Sequence, residues 1–328
     1  MTGYDLPPLN DRLKQKIYAY FQTIWREKWS EGIDSQWLSN FEDLDDDTRE
    51  KEKINMLYLL SKFMYFGNSE VRQLLLALYR DLFKYPIIAS IRKRNGDTRD
   101  LHLIEAEFKQ ELNATRFLGV GNPSESGVHL LYYFRQEAKL SKEHFINTSE
   151  IFSTNKVDEV IGGISRTYLK TNLKDSHIKR YIFIDDFCGS GSQAKSYLKE
   201  VVQNIKFENS TAEVSYFMLF GIEKGVESVR SLNIFDKVEA VFTVDDTFKA
   251  FSPNSRYFKV HIDDQIEKDY SKITASKYGK TLFYPPLGHD NCELLIGLFH
   301  NTPDNSLPIF WSEKDGWKPI FKRYNKIY

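Results

Sequence analysis

Five short apolar runs constrain the fold of this chain more than any other feature. They are RFLGV, RYIFID, VSYFMLFG, VEAVFTV and ELLIGLFH, and each is rich in β-branched or aromatic residues. The runs are too short for typical helices, so their composition predicts buried strands. Because amphipathic stretches of helical length lie between several of them, the pattern predicts an α/β fold with a largely parallel sheet and helices on both faces.

The N-terminal region has a different pattern. From about residue 9 to 82, apolar and aromatic residues recur at spacings of three and four, which is typical of helices. The acidic residues Asp45 to Asp47 are placed to stabilise the start of the second of these helices. We therefore expect a helical accessory domain at residues 1–95, followed by the α/β domain at residues 96–328.

The composition excludes several classes of protein. Hydrophobic residues make up 41% of the 328-residue chain and charged residues 28%, as in globular proteins. No run of about 18 apolar residues could span a bilayer, and the N-terminus lacks the apolar core of a secretory signal, so we expect a cytoplasmic protein without membrane association. The net charge of -1 argues against a uniformly basic nucleic-acid surface, and two cysteines support neither a disulfide framework nor a cysteine-based zinc site.

The stretch FIDDFCGSGSQ, residues 183–193, carries the clearest functional signal. Ligands of an open parallel sheet bind beyond the carboxyl ends of its strands, and Asp185 and Asp186 lie at such an end. Carboxylates there can accept hydrogen bonds from the vicinal hydroxyls of a ribose, or bind magnesium directly or through water. We therefore predict that this pair contacts the ligand and holds the metal.

The loop that follows the two acids suits a phosphate. Gly189 and Gly191 can adopt backbone angles closed to other residues, which lets main-chain N–H groups converge at the start of a helix. Ser190 and Ser192 add hydroxyl donors. Together with the acids, the loop indicates a sugar-phosphate site. The alternative is a buried strand followed by a tight glycine turn.

This stretch resembles the fingerprint of type I phosphoribosyltransferases, in which a strand and two acids precede a loop that grips a 5'-phosphate. The resemblance implies that Asp185 and Asp186 bind ribose. It also implies a phosphate loop formed by Ser190, Gly191, Ser192 and Gln193, where the family more often ends in threonine. Gly189 falls where some purine-salvage members carry an acid that assists the base, so the chain does not match a purine-salvage enzyme.

The family also needs a loop for the pyrophosphate of its donor, after the first strand of the core. The stretch GVGNPSESG follows the first predicted strand, and the residues that could present donors there are Gly121, Ser124, Ser126 and Gly127. Glu125 departs from this pattern because its charge would repel pyrophosphate unless magnesium intervened. Residues 163–179 occupy the position of the mobile loop that covers the site in family enzymes.

A further strand end should line the same crevice. The run ELLIGLFH passes into His300 and Asn301, either of which could recognise a base or an acceptor. The alternative is that residues 301–308 form only a proline-stabilised turn.

Taken over residues 110–312, the chain is similar to phosphoribosyltransferase-like proteins of bacterial conflict and antiphage systems, some of them encoded beside retron-type reverse transcriptases. The resemblance rests on FIDDFCGSGSQ, GVGNPSESG and FHNTPDNSLPIFW. It implies a nucleotide or sugar-phosphate ligand, magnesium, phosphoribosyl pyrophosphate as the candidate substrate, and operon-encoded partners that include a reverse transcriptase with its nucleic acid.

Three activities fit these residues. The first is transfer of phosphoribosyl from phosphoribosyl pyrophosphate to a base-like or macromolecular acceptor. The second is cleavage of an existing nucleotide at the same site. The third is non-catalytic sensing of a nucleotide by a regulatory subunit, and whether the chain is an enzyme stays open at this point.

Overall fold

The computed structural model of the chain describes residues 7–28, 30–121, 126–161, 164–261 and 263–324, and leaves the side chains of residues 160–166 undescribed. Within these residues the elements are α1 (Leu9–Thr23), α2 (Ile33–Leu38), α3 (Asp46–Leu60), β1 (Met64–Phe66), α4 (Asn68–Ala77), a π-helix (Leu78–Lys84), α5 (Tyr85–Arg94), α6 (Leu101–Asn113), β2 (Thr115–Gly119), α7 (Ser126–Glu137), β3 (Phe152–Ile161), β4 (Ile164–Leu173), β5 (Arg180–Cys188), α8 (Ser192–Glu208), β6 (Glu213–Ile222), α9 (Glu223–Arg230), β7 (Lys237–Val244), α10 (Lys268–Leu282) and β8 (Ile296–Leu298).

A four-stranded sheet in the order β2-β5-β6-β7 holds four of the five predicted strands. Strand β5 runs parallel to both of its neighbours, β2 and β6. Residues 181–186 of β5 are all buried, as expected of a parallel strand covered on both faces. Helices α8 and α9 bury their apolar residues in one core with β5 and β6, and α7 packs on β2 and β5. The predicted α/β fold class, a largely parallel sheet flanked by helices behind an N-terminal helical region, is confirmed.

The chain divides into two compact units, one made of residues 1–71 and 244–328 and the other of residues 72–243. This division differs from the predicted boundary between residues 95 and 96. The reason is a shared core in the first unit, where buried side chains from residues 9–65 and 250–321 form one cluster. The indole N–H of Trp37 also donates to the carbonyl oxygen of Ile309 at 2.7 Å. Periodicity is a local property, so it cannot show that the two ends of a chain build one core.

The helices also show where local pattern succeeds and where it fails. The side chain of Asp45 caps α3 by accepting a hydrogen bond from the backbone N–H of Thr48 at 2.8 Å, as predicted. Helix α10 was not predicted, because the residues that it buries are mostly small or polar, among them Ser271, Thr274 and Gly279. Such a stripe leaves little hydrophobic periodicity in the sequence.

Residues 163–179, predicted to be a loop, contain strand β4. It pairs antiparallel with β3 in a hairpin whose ends are the pairs Phe152 with Leu173 and Ile161 with Ile164. Most of the described side chains in the two strands are exposed and polar. They therefore lack the alternation of apolar and polar residues that identifies a strand with one buried face.

The fifth predicted strand, in ELLIGLFH, is shorter than expected and lies in a different sheet. Its strand β8 spans three residues and pairs in parallel with β1, with Tyr65 opposite Gly297. β8 is therefore not a strand of the four-stranded sheet, and the expectation that His300 and Asn301 line one crevice with β5 stays a prediction. The apolar run itself gave no information about which strand would be its partner.

Candidate functional site

The acid pair lies at the carboxyl end of β5, inside the four-stranded sheet. Asp185 pairs in register with Met218 of β6, and the chain leaves the strand after Cys188. Asp185 is only 4% exposed and Asp186 9% exposed. Because burying a charge without partners is costly, two carboxyl groups at this depth need nearby donors.

Asp185 has a donor on each of its two carboxyl oxygens. The hydroxyl of Tyr216 donates to Oδ2 at 2.8 Å, and the backbone N–H of Asp186 donates to Oδ1 at 3.0 Å. Burial, reinforced by the charge of Asp186, raises the pKa of Asp185 well above the usual range of an aspartate. Burial and the nearby charge of Asp185 likewise raise the pKa of Tyr216, so its hydroxyl keeps its proton and remains a donor.

Cys188, two residues after Asp186, lies in the same buried apolar cluster as Tyr216. Burial and the charge of Asp185 raise the pKa of its thiol to about 12. Because the thiolate is the nucleophilic form, this cysteine is unsuited to covalent catalysis at neutral pH. Its role is to pack beneath the end of the strand, where it is 2% exposed.

The predicted phosphate loop connects β5 to the start of α8. Gly191 has a φ of 76° in the left-handed region and caps the start of α8. As a glycine it has no side chain to cap the helix, and the backbone N–H of Ser192 donates to the hydroxyl oxygen of Ser190 at 3.3 Å. The positive N-terminal end of a helix favours an anion such as a phosphate. The hydroxyl oxygens of Ser190 and Ser192 lie 2.8 Å apart, and Gln193 belongs to the first turn of α8.

Gly225 of α9 supports this loop, although it was not among the predicted site residues. A Cβ atom built on Gly225 would lie 1.8 Å from the carbonyl oxygen of Gly189, and one built on Gly191 would lie 2.6 Å from a methyl group of Val229. Helix α9 therefore packs directly on the loop. A glycine within the predicted helix KGVESVRSL was the available signal, because glycine in a helix often marks a close contact.

The start of α7 lies at the same end of the sheet. Gly121 has a φ of 97°, and α7 begins at Ser126. A Cβ atom on Gly127 would lie 2.7 Å from the carbonyl oxygen of Val120 and 3.1 Å from that of Ile184. The start of α7 thus lies against the ends of β2 and β5, one residue from Asp185. Ser124 and Glu125 lie outside the described residues.

His300 and Asn301 belong to the other compact unit. The side-chain oxygen of Asn301 accepts hydrogen bonds from the backbone N–H groups of Thr302 and Tyr324, at 3.0 and 3.1 Å. His300 packs edge-on against Phe299, with ring centroids 4.9 Å apart. Recognition of a base or an acceptor by either residue stays a prediction.

The two carboxylates at the end of β5 fit magnesium only as part of a larger ligand set. In the described ranges, no group of three or more histidine, cysteine, aspartate or glutamate side chains is arranged to hold a metal. Magnesium usually keeps several waters and is held by one or two carboxylates together with phosphates of the substrate. Asp185 and Asp186 supply two carboxylates, so a phosphate of the substrate would have to complete the coordination of the metal.

No helix among the described residues is both long and apolar enough to cross a membrane. The sheet, the buried acid pair at the end of β5 and the Gly/Ser loop at the start of α8 are consistent with the phosphoribosyltransferase-like fold expected from the sequence.

The comparison with protein families makes this assignment more specific. A sequence model of the PRTase-CE family matches residues 35–323, so the chain belongs to the PRTase-CE family. No curated protein matches the chain. Among solved structures, the AQ2163 protein from Aquifex aeolicus is 10% identical and has a TM-score of 0.29, with 66% of this chain and 86% of that chain covered. A TM-score this low does not establish a common fold.

Proposed function

We propose that the chain binds a phosphoribosyl donor at the end of β5 and transfers phosphoribosyl to a base-like or macromolecular acceptor. One observation carries this proposal: two adjacent, buried acids at the end of β5 are followed, two residues later, by a Gly/Ser loop that leads into a 17-residue helix. The acids suit the hydroxyls of a ribose, and the loop with the helix N-terminus suits its 5-phosphate. A bare glycine turn would leave the buried acids without a task.

Each part of the site has a proposed role. Residues 189–193 bind the 5-phosphate, and Asp186, the more exposed acid, contacts the ribose hydroxyls beside Asp185. Ser126 and Gly127 at the start of α7 face the leaving pyrophosphate, whose negative charge the N-terminal end of that helix favours. Magnesium, held by the two carboxylates and the donor, would supply further neutralisation of that charge.

The reaction needs little covalent chemistry from the protein. Departure of pyrophosphate breaks the bond from the anomeric carbon to oxygen and develops positive charge on the sugar, and the acceptor then forms the new bond. The contribution of these residues is to orient the donor, to neutralise charge and to exclude water. The family resemblance extends this proposal to an effector role in bacterial antiphage defence. In that role the chain would act with operon-encoded partners such as a reverse transcriptase.

Gly189 supports a second candidate function. It stands where some purine-salvage enzymes carry an acid that assists the base, and its carbonyl is packed against Gly225. A crevice without that acid suits a regulatory subunit that senses a nucleotide and does not turn it over.

Mass spectrometry after incubation with phosphoribosyl pyrophosphate, magnesium and a pool of bases, nucleotides and cellular RNA tests these candidates. Transfer predicts a phosphoribosylated product together with released pyrophosphate, and loss of both in the Asp186→Asn variant. Loss of a nucleotide without dependence on the donor would indicate the nucleotide-cleaving alternative. Binding without any product would indicate the sensor.

A further inference from the structure

Tyr216 stands out among the buried polar residues because its hydroxyl contacts the candidate site from a neighbouring strand. It lies in β6, opposite Phe183 of β5, and is 1% exposed. Its hydroxyl reaches past Phe183 to Oδ2 of Asp185 at 2.8 Å. A tyrosine that is buried to this extent usually directs its hydroxyl to a specific partner.

The surroundings of Tyr216 restrict its ring. It belongs to the apolar cluster formed by β5, β6, α8 and α9, and its ring centroid lies 5.9 Å from that of Phe235. A tyrosine has only two side-chain torsions, and close packing in a protein interior limits both. The hydroxyl oxygen is therefore held in place by the core and not by the ligand.

Asp185 is restrained as a consequence. With Tyr216 on Oδ2 and the backbone N–H of Asp186 on Oδ1, both carboxyl oxygens have protein donors. Asp186 follows it directly in the chain, and its negative charge acts on Asp185. Without the hydroxyl, the Asp185 carboxyl could rotate, and the arrangement of the pair that meets a ribose would no longer be fixed.

We propose that Tyr216 is a positioning residue for ribose recognition: by fixing Asp185, it sets the geometry in which the acid pair accepts hydrogen bonds from the sugar hydroxyls. This inference rests on the proposed function and assigns a role to a residue on a strand outside the motif. It also predicts a split between ligands, because inorganic phosphate uses the loop of residues 189–193 but has no hydroxyls for the acid pair.

The test compares wild type, Tyr216→Phe and Tyr181→Phe in 31P NMR titrations with ribose 5-phosphate and with inorganic phosphate. Tyr181 is a matched control because it is also 1% exposed and belongs to the same cluster, but it lies on β5 opposite Val214. We expect Tyr216→Phe to weaken ribose 5-phosphate binding by roughly tenfold, about the contribution of one hydrogen bond that a displaced Asp185 would no longer accept from the sugar, and to leave phosphate binding unchanged. Tyr181→Phe should change neither affinity.

Different results separate the two claims. Equal binding of ribose 5-phosphate by wild type and Tyr216→Phe, or an equal loss for both ligands, would overturn the positioning role while the proposed function stands. Failure of the wild type to bind either ligand would overturn both. If Tyr216→Phe does not fold, 3-fluorotyrosine at position 216 retains the hydroxyl, and its 19F resonance should shift with ribose 5-phosphate but not with phosphate. A resonance that responds to neither ligand would again contradict the role.

Discussion

Two aspartate pairs stand at the ends of apolar strands in this chain, Asp185–Asp186 within the last residues of β5 and Asp245–Asp246 directly after β7, and their environments differ. The first pair is buried at the end of β5. The second is exposed after β7, where Asp245 accepts hydrogen bonds from both the backbone N–H and the hydroxyl of Thr247, at 2.8 and 2.6 Å. One pair is held by a neighbouring strand and leads into a glycine loop, whereas the other caps a short turn. Two acids at a strand end therefore do not define a site by themselves.

The largest expected effect tests the functional difference between the pairs. Replacement of Asp185 and Asp186 together by asparagine should weaken binding of phosphoribosyl pyrophosphate at least about 100-fold, because each lost hydrogen bond to a charged group contributes about 1.5–3 kcal/mol. The matched variant with Asp245→Asn and Asp246→Asn should bind as wild type does. Calorimetric titration in magnesium measures both, and equal losses in the two variants would erase the distinction.

The second prediction concerns the loop beside the first pair. Gly225→Ala should lower the free energy of unfolding by about 1–3 kcal/mol, because the new Cβ would overlap the carbonyl of Gly189. Glu227→Ala, an exposed change on the same helix that removes only a surface ion pair with Arg230, should lie within about 0.5 kcal/mol of wild type. Urea denaturation measures both changes. A Gly225→Ala variant as stable as wild type would show that α9 does not restrain the loop.

A third prediction uses the raised pKa of Asp185, which burial causes. Its carboxyl holds a proton more tightly in the folded chain than in the unfolded chain, where the pKa of an aspartate is about 3.9. The stability from this group is therefore complete below about pH 4 and declines as the pH rises through the folded value. Urea denaturation from pH 4 to 8 should show a smaller decline for Asp185→Asn than for wild type, and parallel profiles would contradict the buried setting of this acid.

The smallest effect is expected at Asp245, where the pKa is lowered and not raised as it is at Asp185. The hydroxyl of Thr247 lowers the pKa of this carboxyl, so its contribution is present above about pH 4 and declines as the pH falls through the folded value. Because the carboxyl is exposed, Asp245→Asn should cost less than about 1 kcal/mol at pH 7. A larger loss of stability in urea denaturation would mean that the second pair is more than a cap.

The same contrast explains how far the sequence could predict this molecule. Contiguous apolar runs identified β2, β5, β6 and β7, and the charge pattern identified Asp45 as a helix cap, because both signals are local. The four-stranded sheet order and the partner of β8 depend on contacts between distant segments. The short run of β8 is equally compatible with either sheet until its neighbour β1 is known.

The candidate site was predictable to a similar extent. The acids and the glycines of residues 185–191 lie within one short stretch, so their chemistry could be inferred from it. Tyr216 and Gly225 could not, because each reaches the site through packing against another element and carries no motif of its own. The hairpin of β3 and β4 escaped prediction for a different reason, since its exposed faces lack apolar alternation.

The central claim is that the end of β5 is a binding site for a phosphoribosyl donor, and one titration tests it most directly. Isothermal calorimetry of the whole chain with phosphoribosyl pyrophosphate, with and without magnesium, should show saturable binding that magnesium strengthens and that Asp186→Asn weakens. Absence of heat from the wild type under both conditions, or binding that Asp186→Asn leaves unchanged, would contradict the claim.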